Sequence, residues 1–142
     1  MSVNVGQRAK SPLEAQVKAD ELVTYTIKIL SNERTFNPKY QALADRVIDT
    51  AVDALVCIDE ANDIMVGDDP ALWDERRSLQ RRGCRALRKF CTLLRICRGT
   101  YHLRKRRYEY WVSLAYDALD IARRWRDSDA NRYRHLSFRS AG

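Results

Sequence analysis

All three prolines of this chain stand directly behind a residue that caps helices: Ser11-Pro12, Asn37-Pro38 and Asp69-Pro70. Ser, Asn and Asp side chains accept hydrogen bonds from the open N–H groups of a first helical turn, and proline fits that turn because it has no N–H to satisfy. With only five glycines in 142 residues, little is left for the tight turns of an all-β protein. The junctions divide the chain into long helices.

Apolar spacing fills in each segment. Glu14 stands three residues after Ser11, where a capping box places its acid. Ala15, Ala19, Leu22, Thr26 and Ile29 then recur at helical intervals until the polar stretch Ser31–Thr35. After Asn37-Pro38, a stripe of Tyr40, Leu43, Ala44, Val47, Ala51, Leu55, Ile58 and Met65 ends at Gly67. The third helix follows Asp69-Pro70 and is expected to stop at Gly99. A fourth carries Tyr108, Trp111, Ala115, Leu119, Ala122 and Trp125. The expected spans are 12–31, 38–66, 70–98 and 104–126. Short connections between long amphipathic helices predict an all-α, antiparallel up-down four-helix bundle over 11–126. A flexible N-terminus (1–10) and a fraying tail (127–142) would flank it.

The class narrows further. The start of the chain has no apolar signal-like segment, and no stretch approaches the roughly 18 apolar residues of a membrane span. A soluble, cytoplasmic protein is expected. Cys57, Cys84, Cys91 and Cys97 form no C-x-x-C pair and fall in apolar stripes, so they read as buried small hydrophobes rather than metal ligands. No glycine-rich phosphate loop, metal triad or Ser-His-Asp arrangement is present; no cofactor, no metal and no catalysis are expected.

Charge is segregated along the chain. Residues 1–70 carry seven Lys/Arg against twelve Asp/Glu, and residues 71–142 nineteen against seven, within a net charge of +7. Between Glu75 and Glu109 no acid appears, while Arg76–Arg107 holds thirteen basic side chains. At about 100° per residue, Arg77, Arg81, Arg85, Arg88 and Arg95 share an arc of roughly 80° on the third helix, opposite Leu79, Gly83, Leu87, Phe90, Leu94 and Cys97. The acids that ordinarily pair with such a face at i, i+4 are missing. Arg104, Lys105, Arg106, Arg107 and Arg123 add a second cluster, and the combination points to a polyanion held through its phosphates. Charge runs are often plain solvated faces, and the face could instead meet protein acids. Tyr116 lies on the polar side near Arg123 and Lys105, where it is either a plain exposed tyrosine or a platform for an unpaired base. Trp73 and Tyr110, outside the main stripes, are candidates for subunit contact. Asn62 and Arg46, which interrupt apolar stripes, read as structural.

A further set of residues recurs in a characteristic order: Tyr25-Thr26-Ile27, Asn32-Glu33, Phe36-Asn37-Pro38-Lys39-Tyr40, Asp45-Arg46, Glu60-Ala61-Asn62, Leu79-Gln80-Arg81-Arg82, Tyr110-Trp111 and Trp125-Arg126-Asp127-Ser128-Asp129. That order, over roughly residues 20–133, resembles bacterial four-helix-bundle proteins of the accessory-variability-determinant type. These accompany reverse transcriptases of diversity-generating retroelements and are akin to proteins encoded in ribosomal-RNA intervening sequences. The resemblance implies a basic homopentameric barrel that binds nucleic acid (RNA or DNA) and a reverse transcriptase, supports cDNA synthesis, and has no activity of its own. It transfers no site by motif.

Two alternatives follow from the same residues. Arg95 and His102, with six residues between them, match the spacing of HEPN-type helical ribonucleases, although Ile96 stands where a polar residue is usual and Gly99-Thr100 intervenes. A purely structural oligomer would set one copy's acidic half against a neighbour's basic half.

Overall fold

The structure, a computed structural model, describes the backbone of residues 5–141 and the side chains of residues 12–137. It is all-helical, with no strand among the described residues. Four long helices, α1 (Val5–Leu30), α2 (Gln41–Asp63), α3 (Pro70–Tyr101) and α4 (Lys105–Arg132), pack together. A 3-10 turn (Pro38–Tyr40) precedes α2, and a short α5 (Arg134–Ala141) follows α4. α1 and α3 each pack against both α2 and α4, so α1 and α3 lie diagonally across one core. Among the described residues, no helix is long and apolar enough to cross a membrane.

The expected stripes form that core. Ala15, Ala19, Leu22 and Ile29 of α1 meet Val47, Ala51, Ala54 and Ile58 of α2, Leu87, Phe90 and Leu94 of α3, and Trp111, Ala115, Leu119 and Trp125 of α4. Small residues let the helices approach closely. A methyl group added at Gly83 would stand 3.4 Å from Ile58 and 3.5 Å from Cys57, and α3 runs through Gly83 unbroken. Thr26, buried in the α1 stripe, accepts a hydrogen bond from Trp111 Nε1 at 3.1 Å. All four cysteines are free and buried.

Two of the three proline junctions cap as expected. Asn37 Oδ1 accepts from Lys39 N at 3.0 Å, and Asp69 Oδ1 accepts from Ala71 N at 2.9 Å. The first differs: α1 is already helical from Val5 and contains Pro12. The ring deprives only the carbonyl one turn back of its partner, and the helix continues across it. The expected flexible segment 1–10 is therefore helical from Val5, while residues 1–4 lie outside the described residues. α2 begins later than expected, after the 3-10 turn, and ends at Asp63. Met65, expected in its stripe, stands 83% exposed in the following loop.

The third helix does not stop at Gly99. Tyr101 holds its last turn in place, its ring 4.7 Å from Phe36 and its hydroxyl donating to the Tyr40 carbonyl at 3.1 Å. The stop is His102, in the left-handed conformation at φ 52°.

The C-terminal segment is the largest correction. α4 runs to Arg132, six residues beyond its expected end, and α5 turns back onto α3. Tyr133 and Leu136 bury Trp73 and Val66 in a second small core. Trp73 Nε1 donates to Ser137 Oγ at 2.7 Å. Trp73, expected at a subunit contact, is thus fully enclosed by its own chain.

Candidate nucleic-acid interface

Helical periodicity brings the basic residues to one side of α3, and packing then divides them. Arg81, Arg88 and Arg95 are exposed and make no ion pair among the described residues. From Arg81 to Arg95 the row spans roughly 21 Å at 1.5 Å per residue. Arg123 extends it onto α4: burial raises the pKa of the Cys91 thiol, and the charges of both Arg88 and Arg123 act against that rise. Arg123 is exposed and unpaired among the described residues, whereas its neighbour Arg124 pairs with Asp120 at 2.9 Å. On the same helix, Tyr116 is half-exposed.

Arg85 lies on the α2 side of the same arc. With Arg82 it lines a groove between α2 and α3 that also contains Asp53 and Glu60. Those acids come from the acidic half of the chain, and they offset the two arginines locally. Arg77 is engaged as well: it pairs with Asp74 at 3.0 Å, and its guanidinium lies 5.7 Å from the centre of the Trp73 ring. Within the five-arginine stripe of the sequence, Arg77 is thus paired with Asp74, Arg85 borders the α2/α3 groove, and Arg81, Arg88 and Arg95 form an exposed row to which Arg123 adds.

The second cluster divides too. Lys105 approaches Glu109 at 3.9 Å with both side chains exposed, a contact of little strength. Arg106 points to solvent with no ion pair among the described residues. Arg104 and Arg107 line a recess at the end of the bundle with Arg34, Thr35, Tyr101 and His102. Arg34, from the α1–α2 loop, joins this group only through the fold; nothing in its spacing from Arg104 announces it. Arg95 does not line the recess that holds His102.

Three arginines in a row with a fourth across the seam, none matched to a carboxylate among the described residues, make a strongly positive surface. No protein-family model, curated protein or solved structure matches the chain.

The buried polar groups beside this surface are structural in character. Arg76 Nε and Nη2 donate to Asp129 Oδ2 at 2.8 and 2.7 Å, and Nη1 donates to the Ile64 carbonyl at 3.0 Å. Gln80 Nε2 donates to the same carboxylate oxygen at 2.7 Å, and Trp125 lies under the guanidinium. Sequence reasoning counted Arg76 among the basic residues; its helical angle, on the apolar side of α3, was the available sign that it is buried. Burial raises the pKa of all four cysteine thiols, that of Cys97 to about 12. They are poor nucleophiles and metal ligands for that reason. Among the described residues, no group of three or more His, Cys, Asp or Glu is placed to hold a metal.

Proposed function

We propose that this chain is a basic, non-catalytic accessory protein that holds nucleic acid on its α3/α4 face. The observation that carries the reading is the unpaired row Arg81, Arg88, Arg95 and Arg123. Arg81, Arg88 and Arg95 follow one another at two-turn intervals, about 10 Å, and phosphates laid along the row would pair with them while releasing counterions. Tyr116 adds a surface on which an unpaired base can stack.

The bundle is read as antiparallel and up-down, since its long helices are joined by short connections. Assembly is part of the proposal. Val17, Tyr110 and Leu114 give the α1/α4 side a partly apolar groove that also contains Asp20 and Glu21. A head-to-tail ring would bring acids of this kind to a neighbour's basic residues. The pentameric number and a reverse transcriptase as partner are drawn from the residue-order resemblance, which implies support of cDNA synthesis by a retroelement polymerase.

Isolation at low ionic strength tests the whole reading. The expected preparation retains nucleic acid and a reverse transcriptase, and light scattering gives a mass several times the 16.6 kDa of one chain. A clean 16.6 kDa monomer that binds neither would refute it.

A further inference from the structure

The α3–α4 connection closes one end of the bundle against the α1–α2 loop. The recess between them, about 390 Å³, is lined by Arg34, Thr35, Tyr101, His102, Arg104 and Arg107, with no acid among them. Arg107 Nη1 donates to Thr35 Oγ1 at 2.9 Å, tying the start of α4 to the opposite loop. Arg34 and Arg104 make no ion pair among the described residues. Three guanidinium groups and an imidazole, from the α1–α2 loop and the stretch 102–107, therefore border one concavity.

The start of α4 adds to the positive potential. Its N-cap residue, Arg104, supplies no side-chain acceptor, and its first turn contains no acid. A helix start carries partial positive charge and is stabilised by anions. Here the four consecutive cations Arg104–Arg107 occupy it instead. Each of them opposes both the helix dipole and its neighbours, an arrangement that a bound anion would relieve.

We propose that this recess binds a phosphate monoester, namely the terminal phosphate of a nucleic-acid strand lying on the α3/α4 face. A monoester carries close to two negative charges and three accepting oxygens, which suits several forked donors converging from different sides. A phosphate within a strand carries one charge and is flanked by chain on both sides, so it fits an open row better than a recess. The strand follows from continuity: Arg95 stands seven residues before His102, about 10 Å along the helix. The strand-end assignment rests on the proposed function, whereas the affinity of the recess for a phosphate group does not.

The experiment compares dye-labelled single strands with a 5′-phosphate, a 3′-phosphate or hydroxyls at both ends, by anisotropy, with inorganic phosphate titrated separately by calorimetry. One phosphorylated end is expected to bind about tenfold more tightly than the hydroxyl twin. In Arg34→Gln, which lies off the α3/α4 face, that ratio falls to about twofold while the hydroxyl-ended strand binds nearly as before. Equal binding of all three strands, or a ratio unchanged in Arg34→Gln, overturns the strand-end assignment. If inorganic phosphate alone binds, and Arg34→Gln abolishes it, the site is one for free phosphate and the strand-end assignment is again overturned. Should no strand bind at all, the proposed function fails separately, and phosphate binding lost in Arg34→Gln still supports the recess. Absence of both kinds of binding overturns the recess as well.

Discussion

Arg76 and Asp129, fifty-three residues apart in the chain, meet at 2.7 Å with both side chains less than a tenth exposed. The pair joins the first turns of α3 to the last turn of α4. Through the Ile64 carbonyl it also fixes the loop that leads into α3. An ion pair so enclosed is not a large source of stability in itself, because both charges lost their hydration. Its integrity nevertheless matters, since either partner alone would be a buried, uncompensated charge.

Asp129→Ala should therefore cost about 3–5 kcal/mol in urea unfolding. The double replacement Arg76→Met, Asp129→Leu should recover much of that loss, because matched apolar groups often replace a buried pair without penalty. A cost below about 1 kcal/mol for Asp129→Ala would show that the pair is hydrated.

The helices were legible in the sequence because each long one buries a periodic stripe, and periodicity survives any detail of packing. Their ends were less so. Gly99 looks like a stop because glycine tolerates the left-handed conformation, yet His102 adopts it, since Tyr101 has a buried place to fill against Phe36 and Tyr40. The segment after Asp127 lacks a clear stripe because, among its described residues, only Tyr133, Leu136 and the paired Asp129 are buried. Those residues acquire meaning only opposite Trp73 and Arg76, which no local pattern reveals. The same holds for the basic residues. Periodicity placed five arginines on one arc, but only the facing helix decides that Arg85 borders a groove with Asp53 and Glu60.

The second core supplies a direct check on the folded C-terminal segment. Leu136 is fully buried against Trp73, so Leu136→Ala should destabilise the protein by about 2–3 kcal/mol. A frayed tail would show a change near zero.

Thiol chemistry should follow burial. At pH 8 the native protein is expected to react slowly with a disulfide reagent at all four cysteines, and the urea-unfolded chain rapidly at all four. The raised thiol pKa also gives a sign for pH. The folded state disfavours the thiolate, so Cys97 contributes nothing against stability below its ordinary 9.0, and stability falls as pH rises from there toward about 12. Rapid reaction of one native thiol would contradict the closed packing.

The most direct test of the central claim compares two charge-matched double variants in single-strand binding across a salt series. Arg81→Gln, Arg88→Gln removes half of the unpaired row; Arg82→Gln, Arg85→Gln removes two arginines that face acids of α2. All four are exposed, and glutamine keeps helix propensity, so circular dichroism should be unchanged in both. For single strands the logarithmic salt slope is roughly −0.7 per phosphate contact. The first variant should flatten it by about 1.4, whereas the second should alter it little. Equal effects from the two pairs, or no effect from Arg81→Gln, Arg88→Gln, would contradict the assignment of the α3/α4 face to nucleic acid.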